Sequence, residues 1–157
     1  MAREIERKFL VIGNAWRKLA PGVLFRQGYL NDDKNRTVRI RTMGDKAVLT
    51  VKGPTIGIER AEFEYEIPFA DCERMLDTLA LRPLIEKTRY RIPYKGFIWE
   101  VDEFHGVNDG LVIAEIELPE ADTPFEKPDW IGAEVSGDAR YYNSSLIAKP
   151  YSTWNNN

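Results

Sequence analysis

Residues 1–11 read MAREIERKFLV, and within them Glu4, Glu6 and Lys8 stand two apart, separated by Ile5 and Arg7. In a strand successive side chains point to opposite faces, so residues at i, i+2 and i+4 line one side. Two carboxylates and an ammonium therefore face the same space. The pattern recurs along the chain. In TVRIRTM (37–43) Arg39 and Arg41 share a face against Val38 and Ile40, and in LTVKG (49–53) Lys52 falls with Thr50, opposite Leu49 and Val51. In AEFEYEIP (61–68) Glu62, Glu64 and Glu66 oppose Phe63, Tyr65 and Ile67. Lys87, Arg89 and Arg91 share a face in EKTRYRI (86–92), as do Glu100 and Asp102 in FIWEVDEF (97–104) and Glu115 and Glu117 in LVIAEIEL (111–118).

Such alternation ordinarily marks a half-buried strand with its charged face in water. A solvated surface, however, usually mixes signs. Here each segment carries mostly one sign: acidic in the first, fifth, seventh and eighth, basic in the third, fourth and sixth. The sorting points to an inverted arrangement, with the charged faces turned inward and the apolar faces covered from outside by a few helices.

Eight segments read as strands: residues 3–11, 23–30, 36–43, 46–52, 59–68, 86–93, 97–104 and 111–118, with Gly, Pro, Asn and Asp in most of the gaps. MGDK and PYKG read as hairpin turns, and most gaps are of hairpin length, so the sheet is expected to be largely antiparallel. Eight antiparallel strands can close into a barrel without free edges. The expected fold is therefore mainly β (α+β): an eight-stranded antiparallel closed barrel, a tunnel with a charged interior and a few outer helices. FADCERMLDTLALR (69–82) is the best helix, with Asp71 placed to cap it and Cys72, Met75, Leu76 and Leu79 forming an apolar stripe. NAWRKLA (14–20) and DARYYNSSLIA (138–148) are shorter candidates, and STWNNN reads as a frayed tail. Residues 1–150 are expected to form a single domain followed by a tail at 151–157.

Composition narrows the chemistry. The 157 residues carry 25 acidic and 22 basic side chains, a net charge of −3, so bulk attraction to nucleic acid is not expected. No apolar run is long enough to span a membrane and the first residues lack a signal-peptide core, so a cytoplasmic protein is expected. Cys72 and His105 are the single cysteine and the single histidine. They exclude an internal disulfide, cysteine or histidine zinc clusters and most Ser-His or Cys-His nucleophiles. Cys72 reads as helix packing and His105 as a solvated loop residue.

An interior of eight carboxylates (Glu4, Glu6, Glu62, Glu64, Glu100, Asp102, Glu115 and Glu117) and seven bases (Lys8, Arg39, Arg41, Lys52, Lys87, Arg89 and Arg91) would be intolerable if dry and unpaired. Clustered carboxylates are ligands for a hard cation such as Mg²⁺ or Mn²⁺, and clustered Arg and Lys bind a polyanion. A chelated polyphosphate satisfies both sets at once.

At this point the chain resembles a known family. EIERK (4–8) is similar to the E-x-E-x-K signature of the CYTH superfamily, the triphosphate tunnel metalloenzymes. The likeness continues in order through RQGYL, VRIR, TVKG, EFEYEI, EKTRY, WEVDEF, AEIEL and RYYNSSLIA. It is closest to the short bacterial members that hydrolyse inorganic tripolyphosphate to pyrophosphate and phosphate. The resemblance implies Glu4, Glu6, Glu115 and Glu117 around a divalent metal, with Glu62, Glu64 and Asp102 supporting a second metal or orienting water. It implies Arg39, Arg41, Lys52, Lys87 and Arg89 on the phosphates, Lys8 on substrate or the attacking water, and Tyr29 over the tunnel. Catalysis would rest on Lys8, Glu4, Glu6, Arg41 and Lys52. Within the family a thiamine triphosphatase, an RNA 5′-triphosphatase and a class IV adenylyl cyclase stand as alternatives, although the HF pair that precedes the signature in the cyclases is here Ala2-Arg3. Outside it, a non-catalytic polyphosphate-binding module or a barrel for an apolar ligand would need different inward residues. The expected partner is a small polyanion, with neither nucleic acid nor membrane, and the chain is expected to be a monomer or homodimer.

Overall fold

The alternating segments all form strands. In the computed structural model, which describes residues 3–154, they are β1 (Arg3–Val11), β2 (Gly22–Tyr29), β3 (Thr37–Met43), β4 (Lys46–Lys52), β5 (Glu59–Glu66), β6 (Ile85–Tyr94), β7 (Phe97–Phe104) and β8 (Val112–Glu117). They pair antiparallel in the order β5-β4-β3-β2-β6-β7-β8-β1, and Arg3–Ile5 of β1 returns to Glu59–Ala61 of β5 to close an eight-stranded barrel. As Gly44 and Asp45 alone join β3 to β4, so β6 and β7 are joined by two residues, Lys95 and Gly96, between the paired Tyr94 and Phe97. Lys95 and Gly96 both have positive φ, 47° and 87°, the backbone of a type I′ hairpin turn.

A ninth strand, β9 (Ile131–Glu134), was not expected. It pairs with the C-terminal half of β1, where the register shifts between Phe9 and Val11. It occupies the side of β1 that β5 leaves free. With four residues and Gly132 among them, it carries too little alternation to be read.

The barrel is inverted in the sense anticipated, with its largest apolar cluster outside the wall. Ile5, Phe9, Trp99, Val101 and Ile116 on the outer faces of β1, β7 and β8 pack against Trp16 and Trp130. The rings meet edge to face, Phe9 on Trp99 at 5.5 Å between centroids and Trp99 on Trp130 at 6.2 Å. Each such side chain taken from water contributes roughly 1.5–3 kcal/mol. A second cluster places Cys72 and Leu76 of helix α1 (Phe69–Thr78) on Ile40 and Ala47 of β3 and β4. Cys72 is thus core packing, and burial pushes its thiol up to about 11. The helix does not begin at an Asp71 cap: Pro68 is the N-cap residue and Asp71 lies in the first turn, where its charge still complements the helix dipole. The outer face of β5 has no such cover, and Phe63 and Tyr65 are exposed there.

The interior is divided. At one end the inward faces carry Tyr29, Ile85, Phe104 and Ile113, and these pack with Tyr141 and Leu146 of the C-terminal segment. This apolar plug closes the tunnel at that end. The segment is less helical than expected: a 3₁₀ turn at Ala139–Tyr141, capped by Asp138, is followed by Tyr142–Ser144 and then the short helix α2 (Ser145–Ala148). Residues 151–154 are not frayed, since Tyr151 donates its backbone N–H to Asn108 Oδ1 and Trp154 stacks edge-on against Tyr141. Residues 155–157 of the expected tail lie outside the described residues. His105 is anchored rather than merely solvated, with Nε2 2.7 Å from Thr88 Oγ1. Among the described residues no helix is long and apolar enough to cross a membrane.

Candidate metal and phosphate site

Above the plug lies a cavity of about 220 Å³ lined mostly by charged side chains. Strand register explains its layout. Antiparallel pairing of β1 with β8 sets Glu6 opposite Glu117 and Lys8 opposite Glu115, and β7 adds Glu100 opposite Glu115. Glu4 pairs with Arg60 of β5 on the other side. One wall is therefore acidic. The facing wall is basic: Arg39 and Arg41 from β3, Lys52 from β4, and Lys87 and Arg89 from β6. Arg39 lines the cavity while its neighbour Ile40 is buried beneath α1, which excludes a barrel with an apolar interior.

Contacts between the walls are partial. Lys52 Nζ lies 3.0 Å from Glu4 and 3.4 Å from Glu62, Lys8 Nζ lies 3.6 Å from Glu115, and Glu64 stands 3.8 Å from both Arg39 and Arg41. Each wall keeps an excess. Burial, reinforced by Glu115 and Glu4, holds the Glu6 carboxyl well above its ordinary value, and burial with Glu4 and Glu100 raises Glu117. Burial also raises Glu4, but Lys52 and a hydrogen bond with Glu62 together more than offset it; the same contest at Glu115 is won by Lys8 and Arg89 with help from Glu6 and Lys87, so both stand below the ordinary range. On the basic side, burial and then Arg39 and Arg89 push the Arg41 guanidinium down to about 10. The Nε atoms of Arg39 and Arg41 are buried with no partner among the described residues. Leaving a charged donor desolvated and unpaired is costly, so these atoms call for an acceptor.

Asp102 occupies a different position from the other carboxylates. It does not line the cavity but lies beneath it, with Arg89 Nε and Nη2 at 2.7 and 2.8 Å and Lys87 Nζ at 2.9 Å. Both oxygens face bases in this structure, where the carboxylate seats Lys87 and Arg89. Arg91, farther along β6, does not line the cavity: its side chain is 66% exposed and its Nε lies 3.4 Å from Glu100.

Glu4, Glu6, Lys8, Tyr29, Arg39, Arg41, Lys52, Glu62, Glu64, Lys87, Arg89, Glu115 and Glu117 all line the one cavity. Sequence reasoning missed Arg60, which lines it too and continues the Glu62, Glu64 alternation two residues back. It also missed Phe25, whose ring lies 5.1 Å from the Arg41 guanidinium and 4.9 Å from that of Arg89. Ser136, Tyr142 and Asn143 enter from loops, where no periodicity announces them. Among the described residues no three His, Cys, Asp or Glu side chains stand close enough together to hold a metal ion as they are placed. The donor set of Glu4, Glu6, Glu115 and Glu117 nonetheless fits a hard divalent ion, being all oxygen and short of positive charge.

The comparisons with known proteins agree with this geometry. The CYTH domain model matches residues 2–151. The inorganic triphosphatase of Acetivibrio thermocellus is 56% identical over 151 residues, covering 96% of this chain and 97% of that protein. The inorganic triphosphatase of Nitrosomonas europaea is 36% identical over 148 residues, covering 91% and 95%. The crystal structure of the inorganic triphosphatase NE1496 superposes with a TM-score of 0.66 at 33% identity, covering 91% of this chain and 96% of that one. Matched over residues 2–151 by one family model and 56% identical to a relative of which it covers 97%, this chain belongs to the CYTH domain family.

Proposed function

We propose that the protein hydrolyses inorganic tripolyphosphate to pyrophosphate and phosphate, dependent on Mg²⁺ or Mn²⁺. The observation that carries this reading is the meeting, in one cavity, of an acidic wall short of cation and a basic wall with unpaired guanidinium donors. A metal-chelated chain of phosphates supplies both needs, and two relatives bear the name inorganic triphosphatase.

In this reading Arg39, Arg41, Lys52, Lys87 and Arg89 bind the phosphate oxygens, with Phe25 and Asp102 holding the guanidinium and ammonium groups in place. Glu4, Glu6, Glu115 and Glu117 would hold the cation. Bound there, a divalent cation supplies Lewis-acid polarisation of the phosphoryl oxygens. Phosphoryl transfer asks for little covalent work, so the residues act by alignment and by neutralising charge that shifts to the leaving oxygens. The arginine forks serve this well, because they present fixed parallel donors and stay charged. Lys8, between Glu115 and the Tyr142 ring, is placed to contact substrate or the attacking water, and Glu62 and Glu64 to orient water at the open side.

The test is phosphate release from tripolyphosphate, ATP, thiamine triphosphate, 5′-triphosphate RNA and pyrophosphate, each with Mg²⁺ or Mn²⁺. Tripolyphosphate is expected to be turned over fastest and pyrophosphate poorly, since it fills fewer of the basic positions. Faster turnover of pyrophosphate or of an organic triphosphate would overturn the assignment.

A further inference from the structure

The C-terminal segment does more than plug the barrel. Asn143, between the 3₁₀ turn and α2, sends its side chain to the boundary of plug and cavity. Its Oδ1 accepts from Lys87 Nζ at 2.9 Å and from Gln27 Nε2 at 3.1 Å. An ammonium only donates, so the oxygen of Asn143 must face Lys87, and Gln27 must in turn present its nitrogen. The amide orientation is thus fixed by chemistry. Among the described residues Asn143 Nδ2 has no hydrogen-bond partner, and it belongs to a side chain that lines the cavity.

Two neighbours are left in the same condition. Lys87 has three N–H donors; Asp102 and Asn143 take two, and Lys87 lines the cavity with the third. The Tyr29 hydroxyl accepts from Gln27 Nε2, which leaves its own O–H to donate. A single network therefore pins three acceptors and leaves three donors unused on side chains that line the cavity.

We propose that Asn143 is a further substrate-binding residue, its Nδ2 donating to the phosphate group held by Lys87 at the plugged end. This rests on the phosphate-binding reading of the cavity. A neutral amide at that point adds donors without adding to the crowded positive charge of Lys87, Arg89 and Arg41. It also ties closure of the barrel by the C-terminal segment to occupation of the site.

Two substitutions separate donation to substrate from mere support of Lys87. Asn143→Asp keeps an oxygen for Lys87 and Gln27 at almost unchanged size, but replaces the donor with an anionic acceptor. Asn143→Ala removes both. Kinetics with tripolyphosphate at saturating Mg²⁺, and the rise in melting temperature that tripolyphosphate produces, are measured for each beside the wild type. KM is expected to rise on the order of tenfold in Asn143→Ala, the loss of a hydrogen bond to a charged group, and further in Asn143→Asp, with the ligand-induced melting shift shrinking in the same order. The ligand-free melting temperature of Asn143→Asp is expected to stay near wild type, so the readout survives even if Asn143→Ala folds poorly. A wild-type KM and melting shift in Asn143→Asp would show that Asn143 only supports Lys87 and would overturn this inference alone. A wild-type protein whose melting temperature ignores tripolyphosphate would overturn the phosphate reading, and this inference with it.

Discussion

Arg89 grips Asp102 with two parallel hydrogen bonds, Nε to Oδ1 at 2.7 Å and Nη2 to Oδ2 at 2.8 Å, and Lys87 closes on the same carboxylate at 2.9 Å. Three charges are thereby buried together, and the one carboxylate must serve two cations. Taking charges out of water is repaid only when every partner is present. Asp102→Asn removes the compensating charge at nearly constant shape. It is expected to lower unfolding stability by about 3–5 kcal/mol, because Lys87 is left buried without a carboxylate and Arg89 keeps only Glu100 and Glu115, at 3.3 and 3.4 Å. Guanidinium chloride titration of the metal-free protein checks this; an unchanged midpoint would mean that Lys87 and Arg89 reach water.

The two walls of the cavity are expected to give different kinetic signatures. Glu117→Gln removes a metal ligand at constant size, so it lowers kcat and raises the Mg²⁺ concentration needed for half-activity. Arg41→Ala leaves the acidic wall intact and raises KM for tripolyphosphate, with a fall in kcat to the extent that the guanidinium holds the transition state more tightly. Steady-state kinetics with metal titration separates them. Wild-type behaviour from both folded variants is incompatible with an inward charged face.

Gly28 in β2 lies where helix α1 and the following turn come closest to the barrel. A Cβ there would meet Ala80 Cβ at 2.7 Å and Leu84 Cδ2 at 3.0 Å, and the Ala80 atom cannot yield without its backbone. Gly28→Ala is expected to cost about 1–3 kcal/mol through overpacking. It also moves the strand that carries Gln27 and Tyr29, so KM for tripolyphosphate is expected to rise with the loss of stability. A variant as stable as wild type in thermal unfolding would refute the close approach.

Much of this architecture is legible because the site is built on strands. Period-two alternation places Glu4, Arg39, Lys52 and Arg89 on a common side, and their sorting by sign reveals that this side is shared and enclosed. Alternation cannot report how a charge is spent: Asp102 and Glu115 have the same pattern, yet one is consumed by Lys87 and Arg89 while the other borders the cavity. Nor does it say how far along a strand the enclosed space extends, so Arg91 reads as part of the interior although its side chain is largely exposed. Asn143 and Ser136 sit on irregular backbone positioned by the packing of Tyr141 and Leu146 and by pairing of β9 with β1. Those are long-range contacts with no local signature, which is also why β9 is invisible in IGAE.

Away from the cavity, Arg7 of β1 holds Glu134 at the end of β9 through two hydrogen bonds of 2.8 and 2.6 Å. The hydrogen bonds from Arg7, helped by Ser136, draw the Glu134 carboxyl down to about 2. A carboxyl depressed in the folded state stabilises above its unfolded value, near 4.3, and that contribution is lost as pH falls through the folded value. The difference in stability between wild type and Glu134→Gln is therefore expected to be full above about pH 5 and to vanish toward pH 2. It is expected to be small, since the two side chains remain 29% and 32% exposed. Parallel pH–stability curves for the two proteins over this range would show that the pair contributes nothing.

The central claim is that one cavity holds a divalent cation and a chain of phosphates together, and phosphate release from tripolyphosphate before and after metal removal tests it most directly. Activity with saturating Mg²⁺ is expected to disappear in excess EDTA and to return when Mg²⁺ or Mn²⁺ is restored above the chelator. Undiminished hydrolysis in excess EDTA would contradict the assignment of Glu4, Glu6, Glu115 and Glu117 to a metal.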